Sequence, residues 1–190
     1  DVCSSDLTQC RDWAQLEKQF DFVRDMQYVP QDRLHHAEGN VAIHTQMVLA
    51  ALEDLPEYQQ LPELKQQIVW AAALLHDVEK RSTTKEDEEG RIHSPGHAKK
   101  GELSVRNILF RQIETPFAIR EQIAALVRFH GLPLWLMEKP DPERTLFAAS
   151  LRVEMPLLCM LAKADAIGRT CEDKAELLVR IELFELFCRE

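Results

Sequence analysis

Glycine is scarce in this 190-residue chain, six in all, whereas leucine, alanine, glutamate and glutamine are plentiful, which favours helices over sheets. No segment sustains the two-residue alternation of a half-buried strand. The longest apolar run, Ile68–Leu75, is far too short to cross a bilayer, and no secretory signal pattern is visible. The chain therefore reads as cytoplasmic, with no membrane partner. The five cysteines (Cys3, Cys10, Cys159, Cys171 and Cys188) are odd in number and show no CxxC spacing. That excludes a disulfide framework and a thiolate zinc site. Any metal must be held by nitrogen and oxygen. Cations are also short: 23 Lys and Arg stand against 32 Asp and Glu, a net charge of −9. A broad basic surface for coating a duplex is excluded; a small phosphate ester or a nucleic-acid end remains open as substrate.

What is present is helical periodicity. The chain does not begin with Met, and Asp1-Val2-Cys3-Ser4-Ser5-Asp6-Leu7 resembles a translated sequencing adaptor, so residues 1–7 are set aside. Residues 8–190 read as one domain, compact and all-α. The last pattern, residues 172–190, has no Gly or Asn stop, so a cut before a further domain is expected. Trp13, Leu16, Phe20 and Val23 predict a first helix over residues 8–26. Asn40 is a good N-cap for a helix over 41–55, and Pro62 opens one running to Lys80. The middle of that third helix is apolar all round, as in a helix at the centre of a domain. Residues 81–96 are too polar for core and read as a loop and candidate lid. Further helices are expected over 97–111, 116–129, 142–152, 156–167 and 172–190.

The third helix runs straight from its apolar interior into His76-Asp77, with Lys80 one turn later. A buried imidazole and carboxylate there are costly unless paired or bound to metal. By itself the pair has another explanation, a satisfied core histidine. Other helices repeat the feature. His44 shares a stripe with Met47, Val48 and Ala51; His130 continues Ile119, Ile123, Leu126 and Val127; Asp165 continues Leu158, Leu161 and Ala162. Each places a donor atom on the face that should look inward. His97 follows Ser94-Pro95-Gly96 at a helix start, with Gly101 on the same face; the lesser alternative is that it only helps order the loop. His35, His36 and His93 lie in polar segments and are expected to face solvent or substrate.

The ordered set His44, His76-Asp77, His97, His130, Asp165 resembles the HD superfamily of metal-dependent phosphohydrolases, in the variant with extra histidines for two metals. The contexts 36–41 (HAEGNV) with His44-Thr45, 75–80 (LHDVEK), 96–101 (GHAKKG) and 164–169 (ADAIGR) are similar to the HD domains attached to bacterial tRNA nucleotidyltransferases. They are also similar to those of RNA end-healing proteins that couple the domain to a polynucleotide kinase. The resemblance spans about residues 32–169. It implies a first metal on His44, His76, Asp77 and Asp165, and a second completed by His97 and His130 with Asp77 bridging. Asp77, Lys80 and Arg169 are then the catalytic candidates, with Lys80, Arg169 and, more weakly, Arg128 holding the phosphate. The cations have a competing reading as surface or ion-pairing residues. Imidazole with carboxylate suits one or two ions of Mn, Ni, Co, Fe or Zn. The implied substrate is an RNA 2′,3′-phosphate end, in tRNA maturation or RNA repair, and the implied partner a linked kinase or nucleotidyltransferase domain. Two alternatives stand beside it: hydrolysis of a free or signalling nucleotide, and a non-catalytic domain regulating its neighbour. One position departs from the family pattern HDxGK: Glu79 replaces Gly, which would favour the regulatory alternative if its carboxylate blocked substrate.

Overall fold

The computed structural model describes residues 11–189. The adaptor-like segment and residues 8–10 of the expected first helix lie outside that range. In place of one helix to residue 26 there are two, α1 (Trp13–Gln19) and α2 (Asp21–Arg24), then a 3₁₀ turn (Asp25–Tyr28). The break falls at Phe20, whose backbone is extended (φ −125°, ψ 114°). Phe20, Phe22 and Val23 are all buried, and in an unbroken helix residues 20 and 22 would point to opposite sides. Breaking the helix turns both rings inward, where they pack 5.2 Å apart.

Asn40 caps α3 (Val41–Glu53), its Oδ1 accepting from the Ile43 N–H at 3.0 Å. One-turn α4 (Pro56–Gln59) fills the link to α5 (Glu63–Leu75). Every residue of the Ile68–Leu75 run is buried. Each fully buried Leu or Val contributes roughly 1.5–3 kcal/mol of transfer free energy, and this surplus lets the interior tolerate polar groups. The sequence carries α5 on to Lys80; in the structure it stops at His76. The Val78 N–H bonds to the Leu75 carbonyl and the Lys80 N–H to the Asp77 carbonyl, a tighter i→i+3 pattern. Successive residues of a continuing α-helix diverge by about 100°. The tightened turn instead lets His76 and Asp77 serve one space.

A single helical turn, α6 (Lys80–Thr83), and a two-stranded antiparallel hairpin, β1 (Lys85–Glu86) with β2 (Ile92–His93), occupy the segment expected as a loop. Strands of two residues are too short to show as alternation in the sequence. Arg91 grips Asp32 through bonds of 2.7 and 3.1 Å, fixing the hairpin to the 31–40 link.

Helices α7 (His97–Arg111) and α8 (Phe117–Phe129) form an antiparallel pair. Gly101 sits where they meet: a Cβ there would lie 3.1 Å from Val127 Cγ1. One-turn α9 (Leu132–Trp135), unforeseen in the sequence, precedes a 3₁₀ turn (Leu136–Glu138). Then come α10 (Pro142–Ser150), α11 (Met155–Ile167) and α12 (Lys174–Phe187). Central α5 packs against α3, α8 and α11. Where α11 ends against α3, a Cβ on Gly168 would lie 2.8 Å from the Val48 backbone nitrogen. Only glycine permits that approach, which holds the end of α11 against the helix that carries His44.

Among the described residues, seven helices of nine residues or more build the domain, matching the expected all-α class. No single helix among them is long and apolar enough to cross a membrane.

Candidate metal centre

Four histidines come to the centre from α3, from the turn after α5, from the start of α7 and from the end of α8. His76, His97 and His130 share a local design. Each Nδ1 donates to the carbonyl three residues earlier: Ala73 at 2.7 Å, Ser94 at 2.8 Å and Val127 at 2.8 Å. A carbonyl only accepts, so Nδ1 carries the proton and Nε2 presents a lone pair. For His44 the partner of Nδ1 is a carboxylate, Glu38 Oε1, 2.9 Å away though out of line for a full hydrogen bond. The rings form a chain, with His44–His76, His76–His130 and His97–His130 centroids 5.2–5.4 Å apart.

Asp77 lies between two pairs of these nitrogens. Its Oδ2 is 3.3 Å from His76 Nε2 and 3.8 Å from His44 Nε2; its Oδ1 is 3.3 Å from His97 Nε2 and 3.9 Å from His130 Nε2. Donor atoms of His44, His76 and Asp77 all lie within 4.8 Å of one another, and so do those of Asp77, His97 and His130. Ligands on opposite sides of one ion are roughly 4.2 Å apart at most, so each trio needs to contract by only a few tenths of an ångström. Asp165 stands at the rim of the first trio. Its Oδ1 is 3.1 Å from His44 Nε2, while Arg169 holds both its oxygens, at 3.1 and 2.7 Å.

Three observations test whether this donor set fits a cation. Buried Nε2 atoms of His44 and His76 have no hydrogen-bond partner, an arrangement that is costly unless something else is bound. His97 Nε2 and His130 Nε2 face each other at 3.2 Å with both protons on the far nitrogens, so two lone pairs oppose across a gap that a cation would relieve. The charge states of His97, His130 and the two carboxylates agree. Burial pushes His130 down to about 3, helped by the charges of His97 and His76, and burial likewise lowers His97, leaving both neutral. Burial alone would raise Asp77, but His76 and Lys80 outweigh it and hold the carboxyl well below its usual range. Asp165 is lowered in the same way, chiefly by Arg169 and His44 against burial. His76 goes the other way, raised against burial by the charge of Asp77, so an ion bound there displaces its proton. The neutral His97 and His130 beside ionised carboxylates are already in the state that binds a divalent ion. The set fits.

Asp77, His97 and His130 line an open cleft of about 700 Å³, while His44, His76 and Asp165 are buried and do not line it. Of the expected phosphate-holding residues, Lys80 and Arg169 line it and Arg128 does so at its wall. Lys80 Nζ forms an ion pair with Asp77 Oδ2 at 2.7 Å and donates to Gln31 Oε1 at 2.6 Å. Arg128 pairs with Glu102 at 3.6 Å and lies over Phe129, in keeping with an ion-pairing residue. Glu79 is not among the lining residues. Its buried carboxylate is bonded to the Ser82 and Ser104 hydroxyls and lies 3.3 Å from Lys100 Nζ, which ties α6 to α7 without obstructing the cleft.

His35 and His93 line the cleft and are half-exposed, as expected of polar segments. His36 also lines the cleft, though it is buried rather than exposed, with burial pushing it down to about 4. Its Nδ1 bonds Glu38 Oε1 at 2.9 Å, and Glu38 Oε2 accepts from the Thr170 N–H at 2.8 Å. Glu38 and Gln31 are the centre's residues that sequence reasoning missed. Glu38 fixes the ring orientation of His44 from behind, as carboxylates commonly do for metal-binding histidines. Glu38→Gln is expected to weaken Mn²⁺ binding by roughly 10- to 100-fold in calorimetric titration. Unchanged affinity would show that Glu38 only braces the loop.

Imidazoles and carboxylates gathered beside a cation-lined cleft of a helical domain suit a metal-dependent phosphohydrolase. The chain belongs to the HD domain family, whose model matches residues 41–167. No curated protein matches it.

Proposed function

We propose that the chain is a phosphatase and cyclic phosphodiesterase acting on RNA 2′,3′-phosphate ends. The observation that carries this reading is Asp77 shared between two histidine pairs at the foot of an open cleft. The four sequence contexts that resemble RNA-end-processing HD domains all supply residues to that one place. In this reading His44, His76, Asp77 and Asp165 hold a first ion, and His97 and His130 complete a second site with Asp77. The ion, of Mn, Ni, Co, Fe or Zn, would acidify water and neutralise phosphoryl oxygens. The chain's own residues do the positioning. An ammonium has three donors; Lys80 gives one to Gln31 and pairs with Asp77, which leaves donor capacity for a phosphate oxygen. Arg169 engages Asp165 through Nε and one terminal nitrogen, and its other terminal nitrogen has no partner among the described residues. Covalent linkage to a kinase or nucleotidyltransferase domain accords with this substrate.

Hydrolysis of a free nucleotide is the second reading, favoured by the hairpin wall and by a cleft volume within the usual range for small-ligand sites. A purely regulatory domain loses its main support because Glu79 faces away from the cleft. The test is turnover with Mn²⁺, Ni²⁺ or Co²⁺, comparing RNA that ends in a 2′,3′-cyclic phosphate with a panel of nucleoside monophosphates. Preference for the RNA end is expected. Turnover of mononucleotides alone would favour the second reading, and binding without turnover would remove both.

A further inference from the structure

One aromatic side chain in the cleft plays no part in the metal centre. Trp135 lines the same cleft as Asp77, His97, His130 and Arg169 and keeps 37% of its surface exposed. Looseness does not account for that exposure. Its neighbours Leu132, Leu134 and Leu136 are buried, and Leu134 packs with Leu177 and Ile181 of α12. The indole itself is held by Arg180, whose guanidinium lies 4.9 Å from the ring centroid. Arg180 is fixed in turn by Glu176, Glu138 and the Leu134 carbonyl. A large apolar ring kept partly in water on a rigid turn is a platform prepared for another flat group.

Its place in the cleft suits a nucleotide. His130 and Gly131 both have αR backbone, so the chain runs nearly helically from the ligand histidine to Trp135. Five residues at about 1.5 Å each set the Trp135 backbone roughly 7–8 Å along the chain from that of His130, and both side chains line the one cleft. Lys139, exposed and without an ion pair among the described residues, lines the cleft just past the platform. Although the chain carries a net charge of −9, the cleft wall holds four permanent cations, Lys80, Arg128, Lys139 and Arg169, against the carboxylates of Asp32, Asp77 and Asp173. Indole faces stack on nucleobases regardless of base identity, and nearby cations suit a flanking phosphate.

We infer that Trp135 is the base-stacking subsite of the cleft, receiving the nucleobase attached to the reacting phosphate, with Lys139 on the adjoining backbone. This rests on the phosphohydrolase reading and deepens it: the substrate class is nucleotidic, and a simple phosphate ester uses only half the site.

The test compares wild type, Trp135→Ala and Trp135→Phe with Mn²⁺. Two quantities are read: kcat/KM for a nucleoside 2′,3′-cyclic phosphate relative to the base-free ester glycerol 2-phosphate, and affinity for a fluorescent 3′-phosphorylated RNA oligonucleotide by anisotropy. Trp135→Ala is expected to lower the ratio and the RNA affinity by roughly 5- to 100-fold, and Trp135→Phe to recover most of both. Equal loss on both esters, or unchanged RNA affinity, would overturn the subsite. If wild type hydrolyses neither ester, the phosphohydrolase reading has failed, and the anisotropy series still decides the platform by itself.

Discussion

Asp77→Asn is expected to reduce turnover of any phosphate ester by on the order of a thousandfold or more, while far-ultraviolet circular dichroism keeps the wild-type helix signal. The side chain keeps its size and loses only its charge. That charge faces both histidine pairs and Lys80. Lewis-acid stabilisation by a bound ion is worth several kcal/mol, and each ~1.4 kcal/mol is a factor of ten in rate, so a centre that no longer holds its ions loses at least that much. Helix content should survive because the hydrophobic packing of α5 ends at Leu75, before the substituted residue. Unfolding of Asp77→Asn would instead make the carboxylate a structural element of the turn.

Arg169→Ala is expected to act first on stability. Asp165 is almost wholly buried, and Arg169 takes both its oxygens. Removing one partner of a buried pair strands the other charge at a cost of about 3–5 kcal/mol. For a chain of this length that lowers the melting temperature by roughly 10 °C. The loss should be largest in metal-free protein and smaller with saturating Mn²⁺, since a cation at His44 and Asp165 would replace the missing charge. Melting curves with and without the ion check this; an identical loss in both would mean that Asp165 does not face the ion. Turnover should also fall, because the donor of Arg169 left free for phosphate goes with it.

How much of this could be read in the chain itself depends on periodicity. His44, His130 and Asp165 stood out because each continues an apolar stripe on a helix of at least thirteen residues, where a spacing rule says which way a side chain points. His97 was legible from its helix start, where Gly96 takes the left-handed conformation (φ 74°). Glu38 and His36 lie in a link with no period. Their burial comes from contact with the chain just beyond α11, through the Ala37 N–H to the Thr170 carbonyl at 2.9 Å and the Glu38–Thr170 bond. No local pattern announces a contact of that range. The early end of α5 was hidden for a related reason, since its sequence remains helix-compatible through Lys80 and only the demands of the centre tighten the turn. The platform helix α9 did leave a trace. Pro133 occupies a helix-opening position, but Gly131 before it looks like a simple stop.

Whether side chains from separate helices grip a divalent ion is tested most directly by crystals grown with Zn²⁺ or Mn²⁺ and measured at the metal's absorption edge. An anomalous peak is predicted about 2.0–2.3 Å from Nε2 of both His44 and His76 and from the Asp77 carboxylate. A second site, if filled, lies on the other side of Asp77, against His97 and His130. Density for a saturating metal found only elsewhere on the surface, with these nitrogens bare, would contradict the account.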